Sequence, residues 1–238
     1  MRSNQNLLVV NIFYFCRADF LYYSSVINAY AKSNSDPRSA ERILNQMTTN
    51  CVSPDIVCFN SLIQAWSYST EPNKARKAKN ILDRVERNEH VYTSIGLYNS
   101  VLQACALSTG SNISPNERSE ALSIARSLFA ELEKSKTLRP NSLIYGTMLK
   151  CCTLASKETR EKLIIDVFVK CRNAGHVDAR VAYLLCMATQ NSRRILGDLL
   201  IPGVTRKDAK NRTYILTEKL PPGWSRNVKK RNVRKRSR

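Results

Sequence analysis

Histidine, glycine and proline are scarce in this chain, with 2 His, 7 Gly and 8 Pro among 238 residues. Two histidines argue against a histidine-built metal site or a His-centred proton relay. So few turn-formers leave an all-β sandwich or barrel without its punctuation, and a mainly helical chain is favoured. The 8 cysteines include no C-x-x-C pair, so zinc spacing is missing. With 43% hydrophobic residues, the chain is neither disordered throughout nor in need of a disulfide frame, and reduced, mostly buried thiols are expected. Acids are short as well, 19 Asp+Glu against 38 Lys+Arg, a net charge of +19 that favours a polyanionic partner. The clustered carboxylates of a metallonuclease and the H-x-E with P-C-x-x-C of a deaminase are both absent. The N-terminal apolar run Leu7–Cys16 (LLVVNIFYFC) falls short of the roughly 18 residues a membrane span requires and lacks a small-residue cleavage site.

What the chain does have is a repeat. Four segments align on an aromatic anchor: Tyr23-Ser-Ser-Val-Ile-Asn-Ala-Tyr30, Phe59-Asn-Ser-Leu-Ile-Gln-Ala-Trp66, Tyr98-Asn-Ser-Val-Leu-Gln-Ala-Cys105 and Tyr145-Gly-Thr-Met-Leu-Lys-Cys-Cys152. Apolar residues three, four and seven positions after each anchor make one stripe of a helix. A second stripe of the same period follows each: Ala40/Ile43/Leu44/Met47, Ala78/Ile81/Leu82/Val85, Ala125/Leu128/Phe129/Leu132 and Ile164/Val167/Phe168/Cys171. Each unit is a helix pair, and anchor spacings of 36, 39 and 47 residues lie in the range that marks solenoids. Cys105 and Cys152 share a column with Tyr30 and Trp66, and Cys171 with Met47, so these thiols are packing residues.

Boundary residues fit this division. Pro37 and Pro72 stand where second helices should begin, and Ser114-Pro115-Asn116-Glu117 reads as a capping box. The extra residues of the third unit predict a loop at 108–113 and a longer second helix. Gly175 and Asn50 occupy left-handed C-cap positions. His90 and His176 fall near the ends of second helices, where positive charge suits the helix dipole.

The order of aromatic, Asn or Ser, apolar pair, small residue, then a second helix closing on Pro-Asp or Pro-Asn, resembles the pentatricopeptide repeat. Val52-Ser-Pro-Asp-Ile-Val-Cys-Phe-Asn-Ser-Leu-Ile63 carries the likeness most closely, and it extends over about residues 20–190. The Trp/Leu-Gly/Tyr first helix of the peptide-binding tetratricopeptide repeat is not found. The resemblance implies an all-α, right-handed α-solenoid with repeats at 20–55, 56–94, 95–141 and 142–178 and a partial helix pair from 179. Residues 1–19 are then a remnant repeat or a weak targeting segment, 191–223 an extension and 224–238 a basic tail. Asp19 before Phe20-Leu21-Tyr22-Tyr23 resembles the end of an earlier repeat, which suggests a longer array.

It also implies one RNA base per repeat, read by the residue after the anchor together with the last residue of the repeat. The pairs are Ser24 with Asp55, Asn60 with Ser94, Asn99 with Asn141, and Gly146 with Asp178. In the family's pairing these resemble a guanine reader, two pyrimidine readers and an unread position. Leu21, Val57 and Leu143 are the apolar base clamps, and Gly96 breaks that column. The competing reading of the polar residues is helix capping.

The implied partner is single-stranded RNA, with an RNA-processing or ribosomal complex beside it. No catalytic residue, cofactor, metal, membrane or small-molecule substrate is expected. The alternative is a protein-binding adaptor with a basic address tail. The family points to mitochondrion, then plastid, while the tail is compatible with a nuclear address. Residues 204–238 hold a net +11 of the +19. From Trp224 the helical pattern stops, so the tail is expected to be disordered on its own. Arg226, Lys229, Lys230, Arg231, Arg234, Lys235 and Arg236 are its phosphate contacts, with Trp224 either stacking on a base or plugging the last helix face.

Overall fold

The computed structural model describes residues 19–32, 36–88, 91–110, 113–189, 196–197, 199–200, 202–207 and 213–228. Helix α1 covers residues 19–32, followed by α2 (Pro37–Thr49), α3 (Ile56–Tyr68), α4 (Lys74–Glu86), α5 (Ile95–Ala106), α6 (Pro115–Lys134), α7 (Ser142–Cys151), α8 (Lys157–Asn173) and α9 (Ala179–Ala188). Odd-numbered helices are the first members of the pairs and even-numbered helices the second. The chain divides within α6 into two compact units, residues 1–128 and 129–238. No helix of the described residues is long and apolar enough to cross a membrane.

In the first unit α3 packs on α2, α4 and α5, and α4 packs on α5, as successive pairs of a helical repeat do. The apolar stripes supply this packing. Phe59, Leu62, Ile63 and Trp66 of α3 are all buried, as are Tyr98, Val101, Leu102 and Cys105 of α5 and Ala78, Ile81, Leu82 and Val85 of α4. The anchor hydroxyls find partners at the ends of second helices: Tyr23 Oη accepts from Asn50 Nδ2 at 2.6 Å, and Tyr98 Oη donates to Glu86 Oε1 at 2.8 Å. Lys74 is buried at the turn into α4, where its ammonium caps α3 by donating to the Ser69 carbonyl at 3.1 Å. Surface ion pairs tie neighbouring repeats, Arg38 to Glu71 at 2.7 Å and Arg76 to Glu120. Such exposed pairs fix register more than they stabilise.

In the second unit α7 packs on α8 and α9. Tyr145, Met148, Leu149 and Cys152 are buried beside the Ile164, Val167, Phe168 and Cys171 stripe. Lys170 joins α8 to α6 through Glu133 at 2.9 Å. Beyond α9, strands β1 (Thr205–Lys207) and β2 (Thr213–Ile215) pair antiparallel, and β2 lies on α9. A reading dominated by the segment's charge overlooks this pair, although Thr213-Tyr214-Ile215 is β-branched and aromatic.

The buried thiols behave as packing residues. Burial pushes Cys58, Cys105 and Cys152 up to about 12 and Cys186 to about 11. Cys51 is exposed.

Several boundaries differ from expectation. Pro37 opens α2 as expected, but Pro72 does not open α4. Asn73 takes a left-handed conformation (φ 57°) between them, so the helix starts at Lys74. Asn50 is not left-handed (φ −85°). The α2 helix winds one residue further and reverses at Cys51 (φ 59°), where Val52 N–H reaches back to the Met47 carbonyl at 3.0 Å. Gly175 (φ +72°) closes α8 by the same geometry, with His176 N–H on the Cys171 carbonyl at 3.0 Å. The capping box closes on one side only. Ser114 Oγ accepts from Glu117 N–H at 3.1 Å, while the Glu117 carboxylate accepts from Asn73 N–H instead.

At His176 the surroundings work against the charged form that would suit the helix dipole. Burial lowers its pKa, nearby Asp178 opposes this, and Arg226 adds to it. The contribution to stability is present above the unfolded histidine value and is lost as pH falls through the lower folded one. His90 lies outside the described residues.

The chain from Trp224 to Val228 is ordered, which corrects the expectation of a disordered tail from Trp224 onward. The Trp224 indole packs edge-on against Phe168 of α8 at 6.1 Å, under the Arg172 guanidinium at 5.2 Å. The half-buried ring packs on a helix face, as a plug of that face would. Around it, Val177 N–H donates to the Trp224 carbonyl at 2.8 Å and Asn227 N–H to the Gly175 carbonyl at 2.9 Å. Arg226 donates to the Asn173 carbonyl. The Arg226 and Asn227 donors satisfy carbonyls that the end of α8 leaves open.

Candidate functional site

The residue closing each repeat sits at the N-terminus of the next first helix, in extended backbone that turns its side chain onto the first turn. Asp55 accepts from Cys58 N–H at 2.9 Å, Ser94 from Leu97 N–H at 3.3 Å, Asn141 from Ile144 N–H at 3.1 Å and Asp178 from Val181 N–H at 2.7 Å. All four are N-caps. A carboxylate oxygen has more than one lone pair and an amide keeps its NH₂, so capping holds these groups in place without exhausting them. Asp55 also borders a cleft of about 570 Å³ formed with Cys51, Val52 and the exposed Tyr92.

Five residues on from each cap comes the residue expected to face a base. Ser24 donates back to the Leu21 carbonyl at 3.2 Å within α1. Asn60, half-buried, accepts at Oδ1 from Ser100 Oγ of the neighbouring first helix, 2.7 Å away. Asn99 is nearly buried in α5, with 9% of its surface exposed. Gly146 is buried because a Cβ there would stand 3.0 Å from Leu184 Cδ1 of α9. A side chain there would require Leu184 of α9 to shift slightly.

Two of the expected clamps are among the few large apolar residues left in water, Leu21 at 56% and Val57 at 57% exposure. Leu143 is half-buried and Gly96 exposed. Of the tail residues, Arg226 is engaged at the end of α8, and Lys229, Lys230, Arg231, Arg234, Lys235 and Arg236 lie outside the described residues.

Sequence reasoning missed two features of this face. Ser100 belongs to the column Ser25, Ser61, Ser100 and Thr147, whose constancy was the available signal. On α9, five residues after the cap Asp178, stands Tyr183, 63% exposed. The shift of the aromatic one place, from the anchor column (here Ala182) to the reading column, hides it from an alignment made on anchors.

Residues 16–68 match the family model of the pentatricopeptide repeat domain. No curated protein matches the chain.

Proposed function

The chain carries a pentatricopeptide repeat segment at residues 16–68, and from that premise we propose that it binds single-stranded RNA, one base per repeat. One observation carries this reading. Asn60 and Asn99 stand at one fixed step from the capping residues of α3 and α5, Ser24 holds the same column in α1, and in α1 and α3 an exposed apolar residue precedes them by one helical turn. The proposed word, toward the RNA 3′ side, is guanine at Ser24/Asp55, then pyrimidines at Asn60/Ser94 and Asn99/Asn141, then an unread base at Gly146. Leu21 and Val57 hold bases by apolar contact. The chain's +19 supplies the sequence-independent attraction to phosphate.

In this reading the chain is a binder that directs processing, stabilisation or translation of an organellar transcript, and the chemistry belongs to a partner complex. A mitochondrial site of action follows from the family, with plastid as the alternative and the basic tail suiting a nucleus. Asn60→Ala and Asn99→Ala test base reading in the full chain. Each should lower affinity for the matched oligonucleotide roughly 3- to 10-fold and flatten pyrimidine preference at one base, the size expected for one net hydrogen bond. Unchanged binding to matched and mismatched oligonucleotides by both variants contradicts base reading.

A further inference from the structure

The exposed face of α9 has no place in the four-base word. It presents Arg180, Tyr183 and Met187, spaced three and four residues apart, so they form one stripe. Tyr183 is 63% and Met187 55% exposed, while the opposite side of the helix, with Val181 and Leu185, is buried. The neighbouring helix α7 contributes the exposed Lys150, which stands in its own repeat where Met187 stands in α9. Between α7 and α9 the contact is close, because Gly146 has no side chain and Leu184 fills the space. The reading column is therefore empty on α7 and aromatic on α9.

We propose that Tyr183 is a stacking platform for a nucleobase of the bound strand, the fifth of the word, with Arg180 and Lys150 meeting the flanking phosphates. This rests on the RNA-binding reading above. Every base has a π-face, so an aromatic side chain takes any of them, and cations beside the ring follow the backbone. The stripe sets one exposed aromatic beside the exposed cations Arg180 and Lys150, the pairing that a base-stacking platform uses. Its charge is of the sign that suits a phosphate strand. The site binds without discriminating, which suits the end of a short word: it adds affinity after the three reading positions have chosen the bases.

The test pairs protein and RNA changes. Full-length wild type, Tyr183→Ala and Tyr183→Phe are titrated with a fluorescent oligoribonucleotide carrying the five-base word, and with the same oligonucleotide abasic at its fifth position. Tyr183→Ala should lose roughly 5- to 100-fold in affinity for the intact oligonucleotide, whichever base is fifth. It should lose almost nothing further with the abasic one, and Tyr183→Phe should bind as wild type does. Equal losses on both oligonucleotides, or none, overturn the platform. Tyr183→Ala shedding a co-purified protein at unchanged RNA affinity also overturns it and assigns the face to that protein. If the Asn60 and Asn99 variants read no bases while the Tyr183–base coupling holds, the word fails and the platform stands. If wild type binds no RNA, both fall.

Discussion

Trp66→Ala is expected to destabilise the first unit by about 3–5 kcal/mol, the range for deleting a fully enclosed large aromatic. Trp66 is 2% exposed and sits in α3, the helix that packs on α2, α4 and α5. Its removal opens a cavity in a layer that the surrounding pairs share and cannot collapse independently. The indole Nε1 is buried without a hydrogen-bond partner. Trp66→Phe, which removes that orphan donor and keeps most of the apolar ring, should therefore cost much less than the alanine change. Thermal unfolding of the two variants checks this. Equal losses would mean that the indole's volume is not what the core requires.

The second large effect belongs to Gly175. Its φ of +72° costs a residue with a Cβ about 1–2 kcal/mol. The added Cβ would also stand 2.5 Å from Arg226 Cγ and 3.2 Å from the Gly223 carbonyl. Gly175→Ala must therefore push Arg226 off the end of α8 and loosen the docked segment that holds Trp224. We expect a lowered unfolding midpoint together with rapid tryptic cleavage after Arg226, which the docked wild-type chain resists. Gly223→Ala is the control, since a Cβ there meets nothing within 4 Å. Cleavage at the same rate in wild type and Gly175→Ala would show that the segment is not held there.

Much of the fold was legible because each helix pair repeats one apolar period. The stripes from Tyr23 to Cys171 are buried throughout, apart from partial exposure of Val26, Tyr30 and Ile43. Turn chemistry was less legible. Asn is the commoner left-handed residue, which favoured Asn50 in the sequence, yet the reversal falls on Cys51 because α2 winds one residue further. Pro72 suits a helix start by its own geometry, but left-handed Asn73 intervenes. The tail was misjudged from its charge: Trp224 and Asn227 find α8 through an aromatic contact and backbone hydrogen bonds that no local pattern announces.

In the candidate site, the expected readers and caps were legible by position, since both follow from counting from the anchor. Their dual use was not. Asp55, Ser94, Asn141 and Asp178 cap helices with the same side chains proposed to assist reading, so Ala substitution there mixes lost stability with lost recognition. Asn60 and Asn99 are not caps, but Asn60 accepts from Ser100 and Asn99 is buried, so the unfolding midpoint of each alanine variant is to be measured beside its affinity.

The central claim is that the chain chooses RNA by sequence rather than merely holding polyanion. The most direct measurement is selection of full-length protein against a random single-stranded RNA pool near physiological salt, followed by sequencing of the bound fraction. The account predicts enrichment of guanine followed by two pyrimidines, with no preference at the next two bases. A bound pool identical in composition to the input, with affinity that only follows salt, would contradict it.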